Sequence, residues 1–222
     1  MNSIYSIFHF NFFDKIVEKK RSEMTNIINS YLNNIPIKDA LDIGTTNNLD
    51  YKSNNFIIKN IKNVQSFKSI SDQKINDIFF SKCLTKSITD DFNEEEVTNF
   101  RSDLVISNAT IEHVGKFENQ IKMMKNIIKL TSKNFVISAP NRYHPVEFHT
   151  KLLFLHWLPN RIHRKLFNIL GFKFFAKEEN LNLLSKNDLK SLLEICGIEK
   201  YKIFNIRLLG FKSNFMTIGE VN

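Results

Sequence analysis

The chain has 222 residues, with 31 Lys and Arg against 23 Asp and Glu, and a formal charge of +8. That length suits one sizeable core and is short for two, and an apolar share of 42% is that of a globular protein with no window long enough to span a bilayer. Two distant cysteines, Cys83 and Cys196, exclude a disulfide framework or a metal-spaced thiol pair and point to a reducing cytoplasm. The basic balance favours anionic partners without selecting among nucleic acid, an acidic membrane surface and a phosphorylated small molecule.

Met1 to Phe13 is aromatic, but it lacks a basic start and a small-residue cleavage site, so no signal peptide is expected. Residues 14–33 carry Ile16, Val17, Met24, Ile27, Ile28, Tyr31 and Leu32 at helical spacing, and Asn33, Asn34 and Pro36 end the run. A strand over about 37–43 closes on Ala40-Leu41-Asp42-Ile43-Gly44, followed by the polar loop Thr45-Thr46-Asn47-Asn48. Gly44, without a Cβ, permits a sharp turn and close approach to the backbone. Asp42 is costly in a strand unless a polar group meets it at the strand end. Asp50 or Ser53 is expected to cap a helix carrying Phe56, Ile57, Ile58 and Ile61, and Val64–Ile70 reads as a second strand. The patch Ile78-Phe79-Phe80 with Cys83-Leu84 marks the third strand or its approach, and the acidic run Asp90–Glu96 reads as a solvated helix start.

Leu104-Val105-Ile106-Ser107 is a compact strand, Thr110–Leu130 a helical stretch, and Phe135-Val136-Ile137-Ser138 the next strand, stopped at Pro140. Alternating strands and helices predict βαβ units in an α/β fold with a Rossmann-like, mostly parallel sheet. Residues 141–177 break the rhythm. They hold seven Lys and Arg against the single acid Glu147, four histidines (His144, His149, His156, His163) and the sole tryptophan, Trp157. This segment is expected to be a helical insertion above the sheet edge, within one domain spanning 1–222 that begins with a helical segment at 1–34. Ser185 caps a helix through Leu189, Leu192 and Leu193 that ends at Gly197. Lys200–Leu209 and Asn214–Val221 read as closing strands, the last running antiparallel.

The stretch Ala40–Gly44, together with Ser102-Asp103-Leu104-Val105-Ile106-Ser107-Asn108-Ala109-Thr110-Ile111-Glu112-His113-Val114 and Phe135–Arg142, resembles the class I S-adenosylmethionine-dependent methyltransferases. The likeness is to the small-molecule and lipid methyltransferases whose fourth strand leads into "EHV", and it implies a seven-stranded sheet. It further implies that Asp42, Gly44, Thr45 and Thr46 hold the methionine part of S-adenosyl-L-methionine, that Ser87 and Ile88 meet adenine, that Asn108 and Ala109 border the reactive methyl, and that Glu112 and His113 are the acid–histidine pair beyond it. Two departures stand out. Thr46 and Asn48 occupy places of the loop's further glycines, and Phe67, Lys68 and Ser69 stand where the second strand's ribose-binding acid is expected, leaving Asp72 or Asp50 as its replacement. The missing acid and the incomplete glycine pattern argue against a dinucleotide enzyme. "SNATIEH" lacks the Pro-Pro-aromatic signature of enzymes that methylate nucleic-acid bases.

Methyl transfer needs alignment above all, and a base only where the acceptor arrives protonated. His113 is the first candidate base, with His144 and His149 behind it, and Asn141 and Arg142 would meet the acceptor. A helix residue bonded to a backbone carbonyl is the plain alternative for His113, and a solvated polar insertion for the others. The four histidines of the insertion lack a zinc spacing, so no metal is expected. Arg161, Arg164 and Lys165 beside Trp157 and Leu152–Leu155 suit either an anionic acceptor or membrane surface, or a lid whose greasy face packs on the core. The reading is therefore a methyltransferase of a small-molecule, sugar-like or lipid acceptor. Its rivals are a non-catalytic module on the same fold and a basic RNA- or membrane-associating protein.

Overall fold

The computed structural model describes residues 11–48 and 51–221. Asp50, named above both as a helix cap and as a ribose-acid replacement, lies outside them, as does the stretch 1–10. Seven strands form one sheet: β1 (Asp39–Ile43), β2 (Ser66–Ser71), β3 (Lys82–Thr85), β4 (Ser102–Asn108), β5 (Thr131–Pro140), β6 (Tyr201–Leu208) and β7 (Phe211–Glu220). Their order is β3-β2-β1-β4-β5-β7-β6. The pairs β1–β2, β1–β4, β2–β3 and β4–β5 are parallel, and β7 runs antiparallel to both β5 and β6. The last strand thus inserts between β5 and β6, a hairpin return that needs no crossover helix.

The central strands read as continuous apolar runs because both faces are covered. On one side lie α1 (Asn11–Tyr31), through Met24 and Ile28, and the short α2 (Phe56–Lys59). On the other lie α3 (Glu94–Phe100), α4 (Phe117–Leu130) and α6 (Lys186–Ile195). The acidic run opens α3 as expected, with Asn93 and Glu96 in a reciprocal capping box, and Ser185 with Asp188 does the same for α6. No helix among the described residues is long and apolar enough to cross a membrane.

Three expectations change. The helix expected over Thr110–Leu130 is broken: Ile111–His113 form a single 3₁₀ turn, Gly115 takes a left-handed φ of 89°, and α4 starts only at Phe117. Ser53 does not cap α2; Asn55 does, at positive φ and without a side-chain bond, while Ser53 donates to Asp14. Finally, β2 extends one residue beyond the predicted strand, to Ser71, which moves its carboxyl end next to Asp72.

The insertion holds a 3₁₀ turn at Leu155–Trp157 and α5 (Asn160–Ile169) around a small apolar cluster of Phe167, Phe175 and Leu181. Leu152 and Leu155 pack against that cluster, whereas Leu153, Phe154 and Trp157 are exposed. The greasy run is split between a local core and solvent, so it is not the closed apolar underside of a lid.

Candidate active site

Chain order turns back between β1 and β4: β2 and β3 are laid down on one side of β1, β4 and β5 on the other. In an open α/β sheet the crevice at the carboxyl ends of such a pair is where ligands bind. Two adjoining cavities occupy that crevice, one of about 390 Å³ and one of about 670 Å³. Gly44, Thr46, Gln73, Ala109 and His113 line both, so the two run into one another.

The β1 turn is built by a polar chain. The Ser69 hydroxyl donates to Thr45 Oγ1 over 2.8 Å, and Thr45 donates in turn to Asp42 Oδ2 over 2.6 Å. Asp42 is buried, as the sequence required, and its polar partner is Thr45. Burial pushes its carboxyl up to about 6, against the Thr45 hydrogen bond and the nearby Arg21 charge. Thr46 and Asn55 exchange two hydrogen bonds, 3.0 and 2.9 Å, that fix the loop where further glycines were expected. Gly44 has φ 87°, and a Cβ there would come within 2.2 Å of Thr110 Oγ1. Glycine is thus demanded by the neighbouring β4 turn as well as by its own conformation. Ala109 holds that β4 turn at φ 54°, a left-handed conformation uncommon for alanine.

The register of β2 on β1 sets which residues reach its carboxyl end. Asp42 pairs with Ser69 and Ile43 with Ile70, so Ser71 and Asp72 follow the strand out beside Gly44 and Thr45. Asp72 is exposed at the carboxyl end of β2 and lines the smaller cavity with Ser87 and Ile88. Lys68 points elsewhere, in a 2.5 Å ion pair with Asp39 and donating to the Arg101 carbonyl near the opposite end of the strands.

Asp42, Gly44, Thr45, Thr46, Asp72, Ser87, Ile88, Asn108 and Ala109 all line one cavity or both. So do His113 and His149, whose Nε2 atoms lie 3.1 Å apart at the wall of the larger cavity. Glu112 sits beside them at 1% exposure but lines neither cavity. Three expected residues are not brought in. His144 is buried against the Phe148 ring with Nδ1 at the Val146 carbonyl. Asn141 donates to the Lys212 carbonyl. Arg142 donates to the Leu158 carbonyl beside His156 and His163. The reason is common to all: β7 pairs up to Asn214, opposite Pro140, and the 141–144 turn is stapled to the chain on either side of it.

Arg21 escaped the sequence reading. It reaches from α1 into the larger cavity and donates to the Ser53 carbonyl. Burial pushes its guanidinium down, opposed by Asp14, Asp42 and Glu112. Local spacing does not mark it as a cavity residue, because Asp42 and Glu112 come from other segments.

The whole arrangement matches solved structures over most of its length. Magnesium protoporphyrin IX methyltransferase from Synechocystis PCC 6803, with bound S-adenosylhomocysteine, superposes with a TM-score of 0.58 at 11% identity, covering 96% of this chain and 89% of that one. The 1,6-didemethyltoxoflavin-N1-methyltransferase of Burkholderia thailandensis gives 0.57 at 12% identity, covering 92% and 80%. The fold is that of the S-adenosylmethionine-dependent methyltransferases. The N-methyltransferase NodS from Bradyrhizobium japonicum WM9 shares this methyltransferase fold at 0.55 and 8% identity, covering 92% and 96%. No protein-family model and no curated protein sequence matches the chain.

Proposed function

We propose that this protein is an S-adenosylmethionine-dependent methyltransferase acting on a small-molecule acceptor. One observation carries the reading: a continuous crevice across the carboxyl ends of β1, β2 and β4, with a tight glycine turn at one wall and an acid at the end of β2. Its volume lies in the range of ligand sites. The fold neighbours, which bind S-adenosylhomocysteine in two of the cases above, support the same ligand.

In this reading Asp72 accepts the ribose hydroxyls, and Ser87 and Ile88 flank the adenine. The Gly44–Thr46 turn and Asp42 hold the amino-acid end. Asn108 and Ala109 border the methyl group, and the larger cavity, with Arg21, His113 and His149, receives the acceptor. Bound S-adenosylmethionine would supply an electrophilic methyl; the chain's task is alignment and exclusion of water. The insertion at 141–177 forms part of the acceptor side through His149. Its exposed Leu153, Phe154 and Trp157 beside Arg161 and Lys165 favour, as a second reading, an acceptor met at an anionic lipid surface.

Calorimetry with S-adenosylhomocysteine tests the proposal. The unaltered protein should bind, and Asp72→Asn should bind about ten- to a hundredfold more weakly, the equivalent of a lost charge-assisted hydrogen bond of roughly 1.5–3 kcal/mol. Absence of heat at millimolar ligand would leave the rival readings, a non-catalytic module on this fold or a basic RNA- or membrane-associating protein.

A further inference from the structure

We propose that Glu112, His113 and His149 form a binding site for a first-row divalent cation such as Zn²⁺, Mn²⁺ or Co²⁺, with its open coordination positions facing the acceptor cavity.

The three residues present one ligand atom each, all within 4.8 Å of one another, although His149 comes from a segment 36 residues away from His113. Both imidazoles are oriented from behind. His113 Nδ1 lies 2.8 Å from the Asn180 carbonyl, which only accepts, so that nitrogen carries a proton. His149 Nδ1 lies 2.6 Å from Glu147 Oε1 and donates to it. With both rings neutral, two bare Nε2 lone pairs face each other at 3.1 Å. Two such lone pairs repel unless a cation lies between them. Two nitrogens held about 2.0–2.1 Å from one metal ion, at roughly 90–110°, would be about 2.8–3.4 Å apart.

A proton shared by the rings would relieve that repulsion and set a positive charge near Glu112, but it would still leave both Glu112 oxygens without a hydrogen bond. The Glu112 carboxylate is buried at 1% exposure, and neither oxygen has a hydrogen-bond partner among the described residues. Oε1 stands 3.8 Å from His113 Nε2. A buried, unbonded carboxylate is expensive unless a cation meets it. Glu112 in the site and Glu147 behind it together supply two negative charges, the complement of a divalent ion. Two imidazoles and one carboxylate with a carbonyl and a carboxylate behind the rings are the donor set and supporting shell that hold such ions. His113 and His149 line the larger cavity, so the free positions would take an oxygen donor of the acceptor. That last assignment rests on the methyltransferase reading; the ion site does not.

The test uses the full chain, stripped with EDTA and titrated with Co²⁺ in the absence of any cofactor. Stoichiometric binding with visible d–d absorption and a raised melting temperature is expected. Glu112→Gln should abolish both effects, and Glu147→Gln should weaken binding about ten- to a hundredfold by releasing the His149 ring. Metal-free Glu112→Gln should melt no lower than the metal-free parent, because it removes a buried carboxylate that has no hydrogen bond, so loss of binding cannot be put down to unfolding. Absence of cobalt absorption and of any metal-dependent melting shift in the parent, or binding by Glu112→Gln as tight as the parent's, would overturn the site. Cobalt binding without S-adenosylhomocysteine heat would keep the ion site and remove the methyl-transfer reading. Heat without cobalt binding would do the reverse.

Discussion

Asp42 shows how one residue trades stability for a site. Its carboxyl titrates near 6 in the folded chain against an ordinary 3.8, chiefly because it is buried. A carboxyl raised in this way favours folding fully only below about 3.8; that contribution fades as pH rises through about 6, and at neutral pH the charged form is held at a cost on the order of 3 kcal/mol. Asp42→Asn keeps an acceptor for the Thr45 hydroxyl and removes the charge. The variant should therefore unfold at higher urea than the parent at pH 7.5, with the gain disappearing as pH is lowered from 6 toward 4, while S-adenosylhomocysteine binding weakens. A variant less stable than the parent at pH 7.5 would show that the charge is already compensated in the free protein, with Arg21 the first candidate. Gly44 and Ala109 belong to the same account, since both hold left-handed conformations where the β1 and β4 turns meet.

Among the elements, the insertion has a chemistry of its own. His163 packs edge-on against Phe167, its Nδ1 3.3 Å from the Leu158 carbonyl, and burial pushes it down to about 4, with Arg142, Arg164 and His156 acting in the same direction. His156 is pushed down as well, again chiefly by burial. A base lowered on folding contributes stability that is complete above its ordinary value near 6.5 and is lost as pH falls through about 4. The insertion should thus loosen between those limits. Trp157, the only tryptophan, donates from Nε1 to the His144 carbonyl within this segment and reports the change. Its emission should shift as pH is lowered through this window, and His163→Asn should flatten the transition. An emission maximum unchanged down to pH 4 would contradict the assignment. The Glu147–His149 pair answers in its own way: burial would raise Glu147, but the His149 ring and the backbone amides of His149 and Thr150 hold it near 2.

For the whole molecule, the ligand site is a seam between elements rather than the property of any one. The crevice joins turns after β1, β2, β3 and β4 with α1 and the insertion. A ligand bridging them should stabilise the fold as a unit. S-adenosylhomocysteine at about 100 times its Kd should contribute about 2.7 kcal/mol, or roughly 5–10 °C in melting temperature for a chain of this size. A thermal scan by light scattering and fluorescence would read it. Calorimetric heat without any thermal shift at that concentration would mean that the heat does not come from selective binding to the folded chain.

Much of this was legible in one dimension. Apolar runs separated by helical periodicity dictated the alternating α/β order, since a strand buried on both faces must be apolar throughout and a covering helix apolar on one stripe. Asp42 and Gly44 stood out at the end of an apolar run and Asn108 and Ala109 only through the family resemblance; all four line the larger cavity. Tertiary structure decided the rest. Where β2 stops depends on its register with β1, and one further residue sets Asp72 at the strand's carboxyl end. Whether 110–130 is one helix depended on Gly115, whose positive φ frees Glu112 and His113 from α4. Arg21, Glu112, His113 and His149 converge from three separate segments. Charges and lone pairs act through space over a few ångströms, and sequence separation carries no record of that distance.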